Sequence, residues 1–257
     1  MRNGDPGTNG GVLDRALGVL DCLHEDEPAL TAAELAARTG LAPSTLHRLL
    51  GTLVDRGLLV RAPGHRYAIG PRLWEYGELS PMAVRLRERA IPHLSRLHEA
   101  TGENVHLGAL GGETPETATV LYVGRVTGRA SIPTVSRAGG RGPLHATGVG
   151  KALLATRDEA WLARYFTAPR ELETVHTIVG EGELRRELDR IRARGYATTR
   201  EEMTLGNISV AIALPPVEGL PPTALGLVVH LDRADERRLA ALVAQSAREI
   251  AAAVRAP

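Results

Sequence analysis

The sequence predicts an α+β protein in two parts: a winged helix-turn-helix, then a larger part built on a mostly antiparallel sheet. Three observations predict it. Residues 30–70 carry a capped helix, a glycine turn, a second helix and a β-hairpin in close succession. Beyond residue 102 the pattern changes from helical spacing to short alternating apolar runs separated by glycine, proline and threonine. The chain has 257 residues, 43% hydrophobic and 24% charged, enough for two cores of ordinary globular composition.

In chain order, MRNGDPGTNG is a polar opening without the apolar core of a signal peptide, so a disordered tail over residues 1–10 is expected. No apolar run approaches the roughly 18 residues of a membrane span, which points to a cytoplasmic protein with no membrane contact. Val12, Ala16, Val19, Leu20 and Leu23 recur at helical spacing and predict a helix over residues 12–23. The single Cys22 lies in that pattern and has no partner for an internal disulfide.

Thr31 and Glu34 have capping-box spacing, and Leu30 and Leu35 sit where a hydrophobic staple would fix the incoming chain. Gly40 is placed to end that helix in the left-handed conformation, and Pro43 suits the first turn of the next. In the second helix Leu46, Leu49, Leu50 and Leu53 form one apolar stripe. Ser44, Arg48 and Gly51 point the opposite way, with Thr45 and His47 on the flanks. Such a face suits the major groove, because arginine can bond guanine edges while hydroxyls reach bases or phosphates. Residues 58–69 read as a hairpin with Pro63 and Gly64 at the centre of a type II turn. His65 and Arg66 at its tip form a basic wing aimed at phosphates or the minor groove. The candidate DNA-binding residues are therefore Pro43, Ser44, Thr45, His47, Arg48, His65 and Arg66. Charge agrees: Arg38, Arg48, Arg56, Arg61, Arg66 and Arg72 oppose only Glu34 and Asp55 between residues 31 and 72, whereas the whole chain carries +1. With only eight aromatic residues, stacking on single-stranded nucleic acid is not favoured.

Ser80-Pro81 interrupts the chain after the wing and marks the interdomain connection, and Trp74 and Tyr76 just before it are expected to pack in a helix. A helix over 84–101 stops at Gly102. Strands follow over 104–110 and 119–126, with a short one over 131–136 and a glycine-rich turn over 139–142. Helices over 148–155, 158–166 and 181–194 precede strands starting at 195 and covering 207–214 and 224–231, and a long apolar-periodic helix ends the chain. In 207–214 large residues alternate with Ser209, Ala211 and Ala213, so that strand has two unlike faces.

The stretch Leu144-His145-Ala146-Thr147-Gly148-Val149-Gly150-Lys151 is the most suggestive of the second part. Thr147 is a plausible N-cap, and two glycines would leave the first backbone N–H groups of the helix uncovered for a carboxylate or other anion. The competing reading is that the glycines permit tight helix–sheet packing. The stretch is not a P-loop, since His145 stands where the first glycine belongs and Ala152 where the final Ser/Thr belongs. Lys151 is the only lysine beside 30 arginines; it is either a required ammonium or a charge on a helix surface. There is no HExxH, no cysteine pair and no GxSxG. His106, His145, His176 and His230 are too scattered for a metal site, and Glu201 and Glu202 read as solvated carboxylates on a turn. No cofactor, metal or catalytic group is expected.

At these residues the chain resembles the IclR family of bacterial transcription regulators. The marks are Leu13-Asp14-Arg15-Ala16-Leu17, then Pro43-Ser44-Thr45-Leu46-His47-Arg48-Leu49-Leu50, then Thr101-Gly102-Glu103-Asn104-Val105-His106-Leu107. PLHATGVGKALLA over 143–155 and Gly195-Tyr196 followed by Glu201-Glu202 complete them. The resemblance covers nearly everything from Val12 onward. It implies a DNA-binding domain over 11–73, a linker helix over 74–83 and a GAF-like effector-binding domain over 84–257. It further implies homodimers or dimers of dimers on palindromic double-stranded operators, commonly repressors answering to small organic acids or aromatic metabolites. By the same resemblance the effector contacts Leu144, Thr147, Gly148 and Val149, the strand holding Asn207 and Ser209, and the strand holding Leu227 and Val229, with Thr199 beside them. Thr199 stands where relatives can have Asp, Ser209 where Cys is frequent, and Leu227 and Val229 where Ser can occur. The expected ligand is accordingly larger and partly apolar with an acidic end. The alternatives are an enzyme on the second part with an appended winged helix, and a protein-interaction module.

Overall fold

Thr31 shows how local chemistry starts the first unit. Its N–H donates to Glu34 Oε2 at 2.7 Å and its Oγ1 accepts from Glu34 N–H at 3.2 Å, a reciprocal capping box. The computed structural model describes residues 11–24, 26–128 and 137–255. The expected tail over 1–10 and strand over 131–136 lie outside them. The chain divides into two units, Met1–Ser80 and Pro81–Pro257.

The first unit holds helices α1 (Val12–Leu20), α2 (Ala32–Thr39), α3 (Pro43–Asp55) and α4 (Pro71–Glu78). Strands β1 (Ala29–Thr31), β2 (Leu59–Ala62) and β3 (Arg66–Ile69) form an antiparallel sheet in the order β1-β3-β2. Gly40 ends α2 at φ 67°, as a left-handed C-cap does. Leu30, Leu35, Leu46, Leu50, Leu53 and Leu59 close one core with Val19 and Tyr67. Gly70 passes so near the Gly57 carbonyl that a Cβ there would overlap it, which locks the end of the hairpin against the end of α3.

Three expectations in this unit change. α1 stops at Leu20, because Cys22 N–H turns back to Val19 O and Leu23 N–H to Leu20 O; Cys22 is buried just past the helix. Trp74 and Tyr76 are exposed, and α4 buries no side chain. Tyr76 instead serves its own helix surface, accepting from Arg72 Nε at 2.9 Å with the guanidinium over its ring. Residues 74–83 are not one helix: α4 ends at Glu78, and a π-helical run begins at Met82 after Pro81, whose ring and missing N–H disfavour a continuous helix.

In the second unit the π-helical run leads into α5 (Glu88–Thr101). Then come β4 (Asn104–Gly111), β5 (Thr119–Val126), β6 (Arg141–Gly142), α6 (Gly148–Ala155), α7 (Glu159–Tyr165) and α8 (Glu181–Arg194). Strands β7 (Ala197–Arg200), β8 (Asn207–Ala213) and β9 (Thr223–His230) and helix α9 (Glu236–Arg255) complete it. The six strands form one antiparallel sheet ordered β6-β5-β4-β9-β8-β7. Period-2 alternation gives that sheet two covered faces. Val105, Leu107 and Ala109 of β4, Ile208 and Val210 of β8, and Leu225, Leu227 and Val229 of β9 pack with α5 and α9. Ala211 and Ala224 pack on the other side with Val149, Leu153 and Leu154 of α6 and with α7 and α8. Small residues on that second face let α6 lie close to the sheet, which sets where a cavity can open.

Candidate functional site

The apolar stripe of α3 is turned inward: Leu46, Leu50 and Leu53 are buried and Leu49 is half-buried. Pro43, Ser44, His47 and Arg48 are exposed and Thr45 is half-buried, so the face read as DNA-facing is the solvent face. Among the described residues the Arg48 side chain has no hydrogen bond or ion pair, leaving its guanidinium available to a base edge. At the hairpin tip Gly64 takes φ 76°, as the third position of a type II turn requires. His65, exposed beside it, is also left-handed at φ 55°, which the turn signature does not anticipate.

Arg66 behaves differently from the expectation. Its Nη1 donates to Ala29 O at 2.8 Å and lies 3.5 Å from Glu34 Oε2, so the guanidinium ties β3 to β1 and the start of α2. Sequence distance hides this, since the partner carbonyl is 37 residues away. Arg61, on the neighbouring strand and exposed, lies over the Tyr67 ring at 5.4 Å and is a wing cation that the sequence reading did not single out.

In the second unit, Thr147 caps α6: its Oγ1 accepts from Gly150 N–H at 3.1 Å and donates to Pro143 O at 2.7 Å. The N–H groups of Gly148 and Val149 open the helix and have no acceptor within it. The glycines themselves serve packing. A Cβ on Gly148 would overlap Ser209 Oγ and stand 3.1 Å from Ser209 Cβ, and one on Gly150 would overlap the Leu144 backbone. The glycines thus pack against the sheet, and the first two N–H groups of α6 have no acceptor in the helix.

Those amides border a cavity of about 540 Å³, counting its open mouth. Of the expected effector residues, Thr147, Gly148, Val149, Thr199, Asn207, Ser209 and Leu227 line it. Leu144 does not; it is buried in the core with α6, α7 and α8. Val229 does not either; it packs in the core with α5 and α9, as does the Leu227 side chain, although Leu227 borders the cavity. By alternation the β9 positions facing the cavity are Gly226 and Val228, one residue out of phase with the expectation. His106, Tyr122, Glu202, Met203, Thr204 and Ile208 also line the cavity. Only the alternation of Asn104, His106 and Gly108 with Val105, Leu107 and Ala109 in β4 gives an early sign of this face.

Burial sets the electrostatics. His106 is held down to about 3 by desolvation, with Arg125 opposing its protonation further, so it is a neutral ring at pH 7. Its ring meets Tyr122 edge-on at 5.7 Å. Burial pushes the Tyr122 phenol up to about 12, against a hydrogen bond with Thr147. Thr199 Oγ1 and Ser209 Oγ are hydrogen-bonded to each other. The one carboxylate on the wall is Glu202, which receives Lys151 Nζ on both oxygens at 2.5 and 2.6 Å. Lys151 is fully buried at 0% exposure, so the surface-charge reading of it is wrong, and so is the solvated reading of Glu202. Desolvation pulls the Lys151 pKa down and pushes that of Glu202 up, and each charge opposes the shift of the other. Thr177 Oγ1 and Thr174 Oγ1 donate to the Glu202 and Glu201 backbone carbonyls at 2.7 and 2.6 Å, fixing the turn that carries the pair.

The cavity therefore presents backbone N–H groups, hydroxyls, a neutral imidazole and a carboxylate already neutralised, set beside Val149 and Val228. It offers hydrogen bonds to an acid without a bare cation. Among the described residues no group of three or more His, Cys, Asp or Glu is placed to hold a metal ion, and no helix is long and apolar enough to cross a membrane.

Comparison with known proteins agrees with this geometry. The family model for the bacterial transcriptional regulator IclR C-terminal domain matches residues 81–255, and that for the IclR helix-turn-helix domain matches residues 12–63. The HTH-type transcriptional regulator BhcR of Paracoccus denitrificans is 35% identical over 249 residues, covering 94% of this chain and 87% of its own. XynR of Escherichia coli is 32% identical over 230 residues, covering 89% of each chain. The solved structure of an IclR homolog from Microbacterium hydrocarbonoxydans, complexed with 4-hydroxybenzoate, superposes with a TM-score of 0.88 at 28% identity. It covers 96% of this chain and 100% of its own. With a helix-turn-helix whose polar face is exposed and a second unit carrying a cavity at the start of α6, this chain belongs to the IclR family and is a ligand-responsive, DNA-binding transcriptional regulator.

Proposed function

We propose that the chain is a repressor whose hold on its operator is set by a small organic acid with an apolar, ring-sized body. The observation that carries this reading is the cavity at the start of α6, where the Gly148 and Val149 N–H groups meet the Thr199–Ser209 hydroxyl pair. A carboxylate there gains charge-assisted hydrogen bonds and the positive end of the helix dipole. Val149 and Val228 give the body of the ligand an apolar wall, and Tyr122 and neutral His106 meet its far polar group. The 4-hydroxybenzoate bound by a relative of closely similar fold supports an aromatic acid as the class.

On the DNA side, Ser44, Thr45, His47 and Arg48 read base edges. Pro43, His65 and Arg61 lie against the backbone, and Arg66 holds the wing in place. One such helix covers only a few base pairs, so the protein works in the cytoplasm as a homodimer or dimer of dimers on a palindromic site. Thermal shift with 4-hydroxybenzoate, benzoate and pyruvate, alongside gel shift on the upstream region of its own gene, tests the proposal. The aromatic acids should raise the melting temperature more than pyruvate and change operator affinity. A shift by pyruvate alone would reject the apolar-body reading, and no change in operator affinity with any acid would reject the effector role.

A further inference from the structure

A second cavity of the same unit lies at the other end of α6. It is bounded by Leu153 and Arg157 where that helix ends, by Leu86, by Val254 of α9, and by the turn joining β8 to β9. At about 670 Å³, counting its open mouth, it exceeds the first. The turn carries two Pro-Pro pairs, residues 215–216 and 221–222. Fixed φ angles make this wall rigid, so the hollow is held open.

One charge faces this apolar space. Arg157 is half-buried, and burial lowers its pKa against the pull of neighbouring Asp158. Its Nε and Nη2 both donate to a single acceptor, Thr156 Oγ1, at 3.1 and 2.8 Å. Among the described residues no carboxylate lies within 4 Å of it, although ion pairs hold many of the other arginines of this unit. Two carbonyls at and just beyond the end of α6, which would repel an anion, are engaged by Arg192. Arg192 Nε donates to Ala155 O at 2.9 Å and its Nη2 to Arg157 O at 3.2 Å. A partly desolvated guanidinium with no carboxylate in ion-pair contact, at the edge of an apolar hollow, is complementary to a carboxylate on an apolar chain.

We propose that this cavity is a second ligand site, distinct from the one at the start of α6, and that it takes an amphipathic monocarboxylic acid with the carboxylate on Arg157. The two sites share α6, whose eight residues span about 12 Å. Occupancy here thus bears on the helix that opens the first cavity.

Calorimetric titration of the full-length protein with sodium octanoate tests this, in the presence and absence of saturating 4-hydroxybenzoate. Octanoate should bind one site per chain whether or not the aromatic acid is present. Arg157→Gln should weaken it about tenfold to a hundredfold, the loss of one charge-assisted bond. Val217→Trp, which fills the hollow from the turn, should abolish it, and Thr204→Trp, which fills the first cavity, should leave it intact. Arg157→Gln sits at a half-exposed position and tests the site even if the tryptophan variant folds poorly. Absence of octanoate binding to the wild type, equal affinity in Arg157→Gln, or loss of binding in Thr204→Trp would each overturn the second site. None of these outcomes depends on whether an aromatic acid proves to be the effector of the first cavity.

Discussion

Replacing Lys151 by Met should destabilise the second unit severely. The ammonium is fully buried and sits 2.5 and 2.6 Å from the Glu202 oxygens, while Glu202 is itself 6% exposed. Met has a similar length and no charge, so packing is largely kept, but a carboxylate is left inside the protein without its cation. Breaking a buried pair in this way costs about 3–5 kcal/mol, a large share of the stability of an ordinary domain. The pH dependence gives a second signature. Lys151 supplies the main charge that lowers the Glu202 pKa, against desolvation that raises it. Without it the folded-state pKa rises further above the unfolded value. A group with a raised folded pKa favours the folded state below its unfolded pKa and loses that contribution as pH rises through the folded pKa. The deficit of Lys151→Met should therefore be largest at pH 7 to 8 and shrink toward pH 5. The double variant Lys151→Met, Glu202→Leu removes both charges and should recover most of the loss. Urea unfolding of the three proteins at both pH values is the assay. A single-variant cost below about 1 kcal/mol, or a deficit that grows as pH falls, would refute the reasoning.

Three further outcomes are expected. Gly148→Leu should lower the apo melting temperature by the equivalent of about 1–3 kcal/mol, because its side chain would be driven into Ser209 and Ala211; unchanged thermal stability would contradict that packing. Arg48→Ala should leave folding intact and cost about 1–3 kcal/mol of specific operator binding, whereas Arg66→Ala should loosen the wing and show in thermal stability as well as DNA affinity. Equal operator affinity in Arg48→Ala would displace the reading face. Sedimentation should show a dimer or larger species at micromolar concentration, and a monomer with and without DNA would refute the two-headed binding mode.

Features set by neighbours in sequence were legible, and those set by distant pairing were not. The Thr31–Glu34 capping box, the Gly40 stop and the Leu46/Leu50/Leu53 stripe follow from spacings of three and four residues. In β8 the unlike faces separate Ser209 from Ile208 and Val210, and Ser209 is on the side that lines the cavity. In β9 both faces are apolar, so nothing in its composition says that Gly226 and Val228, rather than Leu227 and Val229, face α6. Lys151 and Glu202 are 51 residues apart, and only the β7–β8 turn brings them together. The sequence makes Arg66 look like a free wing cation because its acceptor, Ala29, belongs to a strand of three residues too short to announce itself. Trp74 and Tyr76 are aromatic residues on a helix that buries none of its side chains, so aromatic character alone misplaces them.

In the proposed function an acid in the cavity at the start of α6 controls DNA binding by the other unit. Fluorescence anisotropy on labelled operator, with and without 4-hydroxybenzoate, in the wild type and in Thr204→Trp, tests it most directly. Thr204 is half-buried on the cavity wall and its replacement leaves the α3 face untouched. The wild type should change its operator affinity with the acid. The filled variant should bind the operator equally well and ignore the acid. A variant that still responds as the wild type does would place the effector elsewhere and contradict the account.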